Sequence, residues 1–101
     1  MLDQFKGMQE DMQKKLDGIM VDGEAGGGRV KILANANQVV TSITITDDLL
    51  APENAEELED LLITAFNRVT EEAKIKAGEE AKNAMSSILP PGMELPGLFG
   101  G

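Results

Sequence analysis

The 101-residue sequence predicts a single α+β domain of order α-β-β-β-α, with a short N-terminal helix, a three-stranded antiparallel sheet and a long C-terminal helix. Three observations carry that prediction. Apolar residues recur every three to four positions at both ends of the chain and every second position in the middle. Turn residues cut the middle into three short runs. The length suits one hydrophobic core and no second one. The domain is expected over residues 1–89, with residues 90–101 as a flexible Pro/Gly-rich tail.

The first helix spans residues 2 to about 17. Leu2, Phe5, Met8, Met12, Leu16 and Ile19 form its apolar stripe, and Gln4, Lys6, Gln9, Glu10, Gln13, Lys14 and Asp17 lie opposite. Gly18 stops it. The period then changes to two. Ile19, Val21, Gly23 and Ala25 alternate with Met20, Asp22 and Glu24, and three glycines, Gly26 to Gly28, give the freedom a hairpin turn needs. Val30, Ile32 and Ala34 alternate with Arg29, Lys31 and Leu33. The segment Asn35-Ala36-Asn37-Gln38 is a second turn. Val39 to Thr46 is β-branched or Ser throughout, which suits a third strand with Thr41, Ile43 and Ile45 on one face.

Asp47-Asp48 ends the sheet, and Leu49 to Pro52 cross over to the second helix. Asn54 and Glu57 fit an N-cap with a partial capping box, and Glu53, Glu56, Glu57, Glu59 and Asp60 suit the positive end of the helix. The stripe then runs Leu58, Leu61, Leu62, Ala65, Phe66, Val69, Ala73, Ala77, Ala81, Ala84 and Met85. Gly78 is a weak point rather than a stop. Pro90-Pro91 cannot continue a helix, and Met93, Leu95, Leu98 and Phe99 beyond them suit either a free tail or a segment seated in a groove. From Asn54 to Met85 the helix would be about 48 Å long, whereas a compact domain of this size has a radius of gyration of about 13 Å. Three strands and one short helix cannot cover its distal stripe, so the sequence predicts a homodimer with projecting helices.

Composition narrows the function. Apolar residues make up 42% of the chain, enough for a core, and the aromatics are three Phe. Cysteine, histidine, Trp and Tyr are absent, which removes thiolate chemistry, the usual neutral-pH base and the commonest metal ligand. The chain reads as a binding protein and not as an enzyme, with no cofactor. The triple glycine is a hairpin turn and not a phosphate cradle, because Arg29-Val30 stands where a P-loop has Lys and Ser/Thr. Asp47-Asp48 has no further ligand at regular spacing, so no metal site is expected. The N-terminus lacks the continuous apolar run of a secretory signal, and no stretch reaches the roughly 18 apolar residues of a membrane span. A cytoplasmic protein is expected. The net charge is −9, and residues 35–60 alone hold seven acids and no base, so the ends of the chain are nearly neutral.

Several strings occur together in a distinctive order. GEAGGG (Gly23 to Gly28) precedes the basic strand RVKI (Arg29 to Ile32), the Asn-rich turn (Asn35, Asn37) and VVTSITI (Val39 to Ile45). DDLL (Asp47 to Leu50), ELEDLL with AFN (Glu57 to Asn67) and GMELPGLF (Gly92 to Phe99) follow. This order resembles the YbaB/EbfC family of bacterial nucleoid-associated proteins over nearly the whole chain. The resemblance implies a tweezer-like homodimer in the nucleoid. It implies binding to double-stranded DNA through backbone phosphates, with weak sequence preference. It also implies protein partners in recombination or repair. Carried onto this sequence, the DNA-binding residues are the bases of the two helices: Lys6, Lys14, Lys15, Arg68, Lys74, Lys76 and Lys82. Set against this is a solvated helix face, since Glu72 and Lys76 are i,i+4 partners and Glu71, Glu79 and Glu80 lie nearby. The alternative function is a protein–protein adaptor that uses the acidic block 47–60.

Overall fold

The computed structural model describes residues 2–88, with side chains from Gln4 to Ser87. The predicted tail lies outside the described residues. The elements are α1 (Leu2–Asp17), β1 (Met20–Ala25), β2 (Val30–Asn35), β3 (Val40–Ile45) and α2 (Ala55–Ile88). Two 3-10 turns, Asp47–Leu50 and Pro52–Asn54, join β3 to α2. The strands form one antiparallel sheet in the order β1-β2-β3, as the meander pattern predicts.

The core lies between one face of the sheet and the first half of α2. Val21, Ala25, Val30, Ile32 and Ala34 from the sheet meet Ala65, Val69 and Ala73 from the helix, and Leu49 of the first 3-10 turn closes one side. The alternation read in β1 is seen directly, with Val21, Gly23 and Ala25 buried and their neighbours exposed. Gly23 explains the small residues on the helix. A β-carbon there would fall 2.5 Å from the Ala65 carbonyl oxygen and closer still to the Val69 nitrogen. The helix backbone therefore rests directly on the strand, which only glycine permits. Gly26, Gly27 and Gly28 all have positive φ (66°, 69° and 89°), so the hairpin needs what the triple glycine supplies.

The Asn-rich turn does more than reverse the chain. Asn35 Oδ1 accepts from the backbone N–H groups of Asn37 and Val39. Asn37 Nδ2 donates to the Gln13 carbonyl oxygen at 2.9 Å and to the Asp17 carboxylate at 2.6 Å. The Ala36 N–H donates to the Leu16 carbonyl oxygen. A helix end leaves its last carbonyls without intrahelical donors, and this turn supplies some from across the fold. It thereby fixes the direction in which α1 leaves the sheet.

Three expectations are corrected. The inward face of β3 is Val40, Ile43 and Ile45, not Thr41, Ile43 and Ile45, because Ala34 pairs with Val40 while Leu33 pairs with Ser42. The extra residue is a bulge, and it turns Thr41 outward. The capping box at Asn54 does not form. Asn54 lies in a 3-10 turn and donates its side-chain amide to the Asp48 carbonyl oxygen at 2.7 Å, while Glu57 is taken by Arg29. Finally, α2 continues past Met85 to Ile88, giving 34 residues, or about 51 Å. The radius of gyration, 18.3 Å, exceeds the roughly 13 Å of a compact chain this long. Among the described residues no helix is long and apolar enough to cross a membrane.

Candidate nucleic-acid interface

Two helical arms leave the same end of the sheet. α2 runs antiparallel to β1, with Leu61 beside Gly26 and Val69 beside Gly23. Everything beyond Ala73 therefore extends past the start of β1, where α1 enters. Lys15 Nζ sits 2.7 Å from Glu80 Oε2 and ties the base of one arm to the other. The contact is an ion pair by distance but is not aligned as a hydrogen bond, and that oxygen has no other donor.

The seven basic residues expected on the helices do not share one face. Lys6, Lys14 and Lys74 are exposed and make no ion pair among the described residues. Lys15 is held by Glu80, and Lys76 lies 3.6 Å from Glu79 on its own helix. Lys82 is engaged as well. Arg68 belongs to the body of the domain and not to an arm. Its Nη1 donates to the Glu24 carbonyl oxygen at 2.7 Å, in a cleft shared with Asp22, Glu71 and Glu72. Arg68 is exposed, but those carboxylates surround it with negative charge.

The arms differ in charge from the rest of the molecule. Residues 2–17 and 74–88 together hold six bases and six acids, so they are neutral overall. Residues 18–73 hold three bases and eleven acids, an excess of eight negative charges, and Glu94 accounts for the last of the −9. Part of the acidic block is already committed. Arg29 Nη1 donates to Asp48 at 3.1 Å and Glu57 at 3.0 Å, and Nε donates to the Gly26 carbonyl oxygen. These hydrogen bonds, to Asp48 first and Glu57 second, raise the Arg29 pKa. Hydrogen bonds from Thr46 and then Arg29 hold the Asp48 carboxyl below its ordinary value. Arg29 thus latches the hairpin to the crossover and to the start of α2. Sequence reasoning missed this role, having read Arg29 only as part of a basic strand.

An apolar flank was missed too. Ile43 pairs with the buried Ile32 and so points to the helix side of the sheet, yet it is 49% exposed because α2 covers β1 and β2 and leaves β3 open. Ile63 (61% exposed) and Phe66 (48%) lie on α2, on the side away from Arg68 and β1, and Leu50 (59%) is exposed in the crossover. The signal was present in the sequence: Ile63 is a large apolar residue off the helix stripe.

Residues 1–93 match the profile of the YbaB/EbfC DNA-binding family. The chain belongs to that family. A nucleoid-associated protein of Rickettsia felis is 39% identical, over 94% of this chain and 92% of its own. Another, from Bartonella bacilliformis, is 36% identical over 90% of this chain and 88% of its own. The crystal structure of an uncharacterised Helicobacter pylori protein superposes with a TM-score of 0.63 at 25% identity, covering 87% of this chain and 98% of that one. The α-β-β-β-α order of the chain agrees with membership of the YbaB/EbfC family.

Proposed function

We propose that this chain binds duplex DNA in the bacterial nucleoid as a homodimer, through backbone phosphates and without catalysis. The observation that carries the reading is the placement of six of the nine basic residues on two neutral arms that leave one end of the sheet. Phosphate contact needs local bases and counterion release, and the arms supply bases away from the acidic body. Lys6, Lys14 and Lys74 are the first contacts, being exposed and uncommitted among the described residues. Lys15, Lys76 and Lys82 must exchange a partner for a phosphate, and Arg68 contributes least. The relatives named nucleoid-associated proteins support the same assignment.

The homodimer rests on Ile43, Leu50, Ile63 and Phe66. Large exposed apolar side chains grouped on one side of a small domain mark an interface. A copy related by a twofold axis would cover both sets at once. Replacing Ile63 and Phe66 with Lys is expected to turn a dimer into a monomer by light scattering while the circular dichroism is kept.

The deciding experiment is fluorescence anisotropy with a short labelled duplex over a range of salt. The logarithm of affinity is expected to fall linearly with the logarithm of salt concentration. Changing Lys14 and Lys74 to Glu removes four bases per dimer, which should lower the slope by about four. Arg68→Glu should leave the slope nearly unchanged. Equal effects of all three substitutions would reject this ranking of residues. A dimer with no binding at low salt would reject DNA as the partner. The second reading, a protein adaptor, would then stand on Asp47, Glu53, Glu56, Glu59 and Asp60, which are exposed in the acidic block.

A further inference from the structure

The arm formed by α1 carries an apolar cleft of about 410 Å³. Phe5, Met8, Met12 and Leu16 line it, together with the polar residues Gln9 and Gln13. Phe5 is 63% exposed and Met8 51%. α1 meets α2 only near its base, so the cleft lacks a cover among the described residues. We propose that the segment Met93–Phe99 of the same chain seats in this cleft. The inference is independent of the DNA-binding reading.

Reach is the first argument. The Lys15–Glu80 pair holds the base of α1 beside α2, eight residues before Ile88. That remaining stretch of helix is about 12 Å long, and Met8 lies about 11 Å along α1 from Lys15. With helices packing about 10 Å apart, the end of α2 is at most about 33 Å from Met8 at any angle between the arms. The ten residues from Ile88 to Leu98 span up to about 33 Å when extended. At the widest angle the extended chain just brings Leu98 to Met8, and every smaller angle between the arms leaves length for more of the segment.

Chemistry is the second argument. Met93, Leu95, Leu98 and Phe99 bring four apolar side chains in seven residues, with Pro96 within the segment and Pro90-Pro91 before it. An extended segment held at a proline loses less conformational entropy on docking in an apolar groove, and its free backbone carbonyls accept from donors lining the groove. The side-chain amides of Gln9 and Gln13 are such donors, whereas that of Asn37 is spent on the Gln13 carbonyl and the Asp17 carboxylate. Concentration is the third argument. A segment tethered this closely is present at an effective millimolar level, so a weak contact is populated without an external partner. Lys14 lies on the opposite side of α1, about 160° round the helix from Met12, and stays open when the cleft is filled.

The chain contains no cysteine, so a single Gly100→Cys substitution can carry a nitroxide spin label unambiguously. The amide signals of residues 5–16 in the full chain are expected to lose more than half their intensity to the label. They should recover in Phe5→Ser/Met8→Ser, with helix content unchanged by circular dichroism. They should also recover in Leu95→Ser/Leu98→Ser, which leaves α1 untouched. Undiminished signals, or a loss that survives the serines in the tail, would overturn the proposal. A loss seen when isotope-labelled, cysteine-free chain is mixed with unlabelled, spin-labelled chain would assign the segment to the other copy and overturn its intrachain form.

Discussion

Gly23 is the residue on which the two layers depend. Its neighbours across the interface are backbone atoms of Ala65 and Val69, which cannot rotate away as a side chain would. Gly23→Ala is therefore expected to destabilise the domain by about 3 kcal/mol, at the upper end for a small overpacked group, as read by urea unfolding. A change below about 1 kcal/mol would mean that the helix can lift off the strand at little cost. Arg29 and Asp48 give a prediction in pH. Because the folded Asp48 carboxyl titrates below its ordinary value of 3.8, its contribution is complete above that value. It disappears as the pH falls through the lower, folded value. Asp48→Asn should therefore be less stable than the parent chain at neutral pH, and the gap should close at pH values below 3.8. The group is exposed, so the gap should also narrow in high salt. A gap independent of pH would mean that neither Thr46 nor Arg29 favours the ionised form of Asp48, and would reject this reading.

Helix and strand were legible in the sequence wherever one face of an element is buried, because burial imposes the period that the eye detects. Val21, Gly23 and Ala25 are such a case, and so are Leu58, Leu61, Leu62, Ala65 and Val69. Legibility failed where a long-range contact overrode a local preference. Asn54 has the right type and position for an N-cap, but the Asp48 carbonyl six residues back takes its amide. The bulge at Thr41 has no local signature in a uniformly β-branched strand, and a shift of one residue exchanges the faces. The candidate lysines were legible as basic residues of the two helices, but their ion-pair partners were not. Nothing in the sequence distinguishes Lys74, which makes no ion pair among the described residues, from Lys15, which the fold places against Glu80. The distal half of α2 gives an element-scale prediction. It lies beyond the core, so helix propensity rather than packing decides its order. Gly78 has nothing within 4 Å of where a β-carbon would stand. Gly78→Ala should stabilise this arm by roughly 0.5–1 kcal/mol, seen as about two- to fivefold slower amide exchange beyond residue 78 with little change before residue 73.

For the molecule as a whole, the question is how a chain with net charge −9 can bind a polyanion. Net charge acts at a distance only as far as salt allows. The Debye length is about 8 Å at physiological ionic strength. From Glu59 to Lys74 is fifteen residues of continuous helix, about 22 Å. The acidic block 47–60 is therefore screened from the arms, and on the proposed reading the charges within about 8 Å of the lysines, Glu71 and Glu72 included, govern contact with phosphate. This separation can be tested with two sets of matched substitutions. Neutralising Glu53, Glu56 and Glu59 to Gln changes the net charge by three, and so does neutralising Glu10, Asp11 and Glu79 to their amides. In duplex binding near 0.15 M salt the first set should shift Kd by less than about twofold, and the second should tighten it by about tenfold or more. At about 10 mM salt the Debye length is about 30 Å, and the first set should begin to matter. If both sets tighten binding equally at physiological salt, total charge controls association and the arms have no special standing.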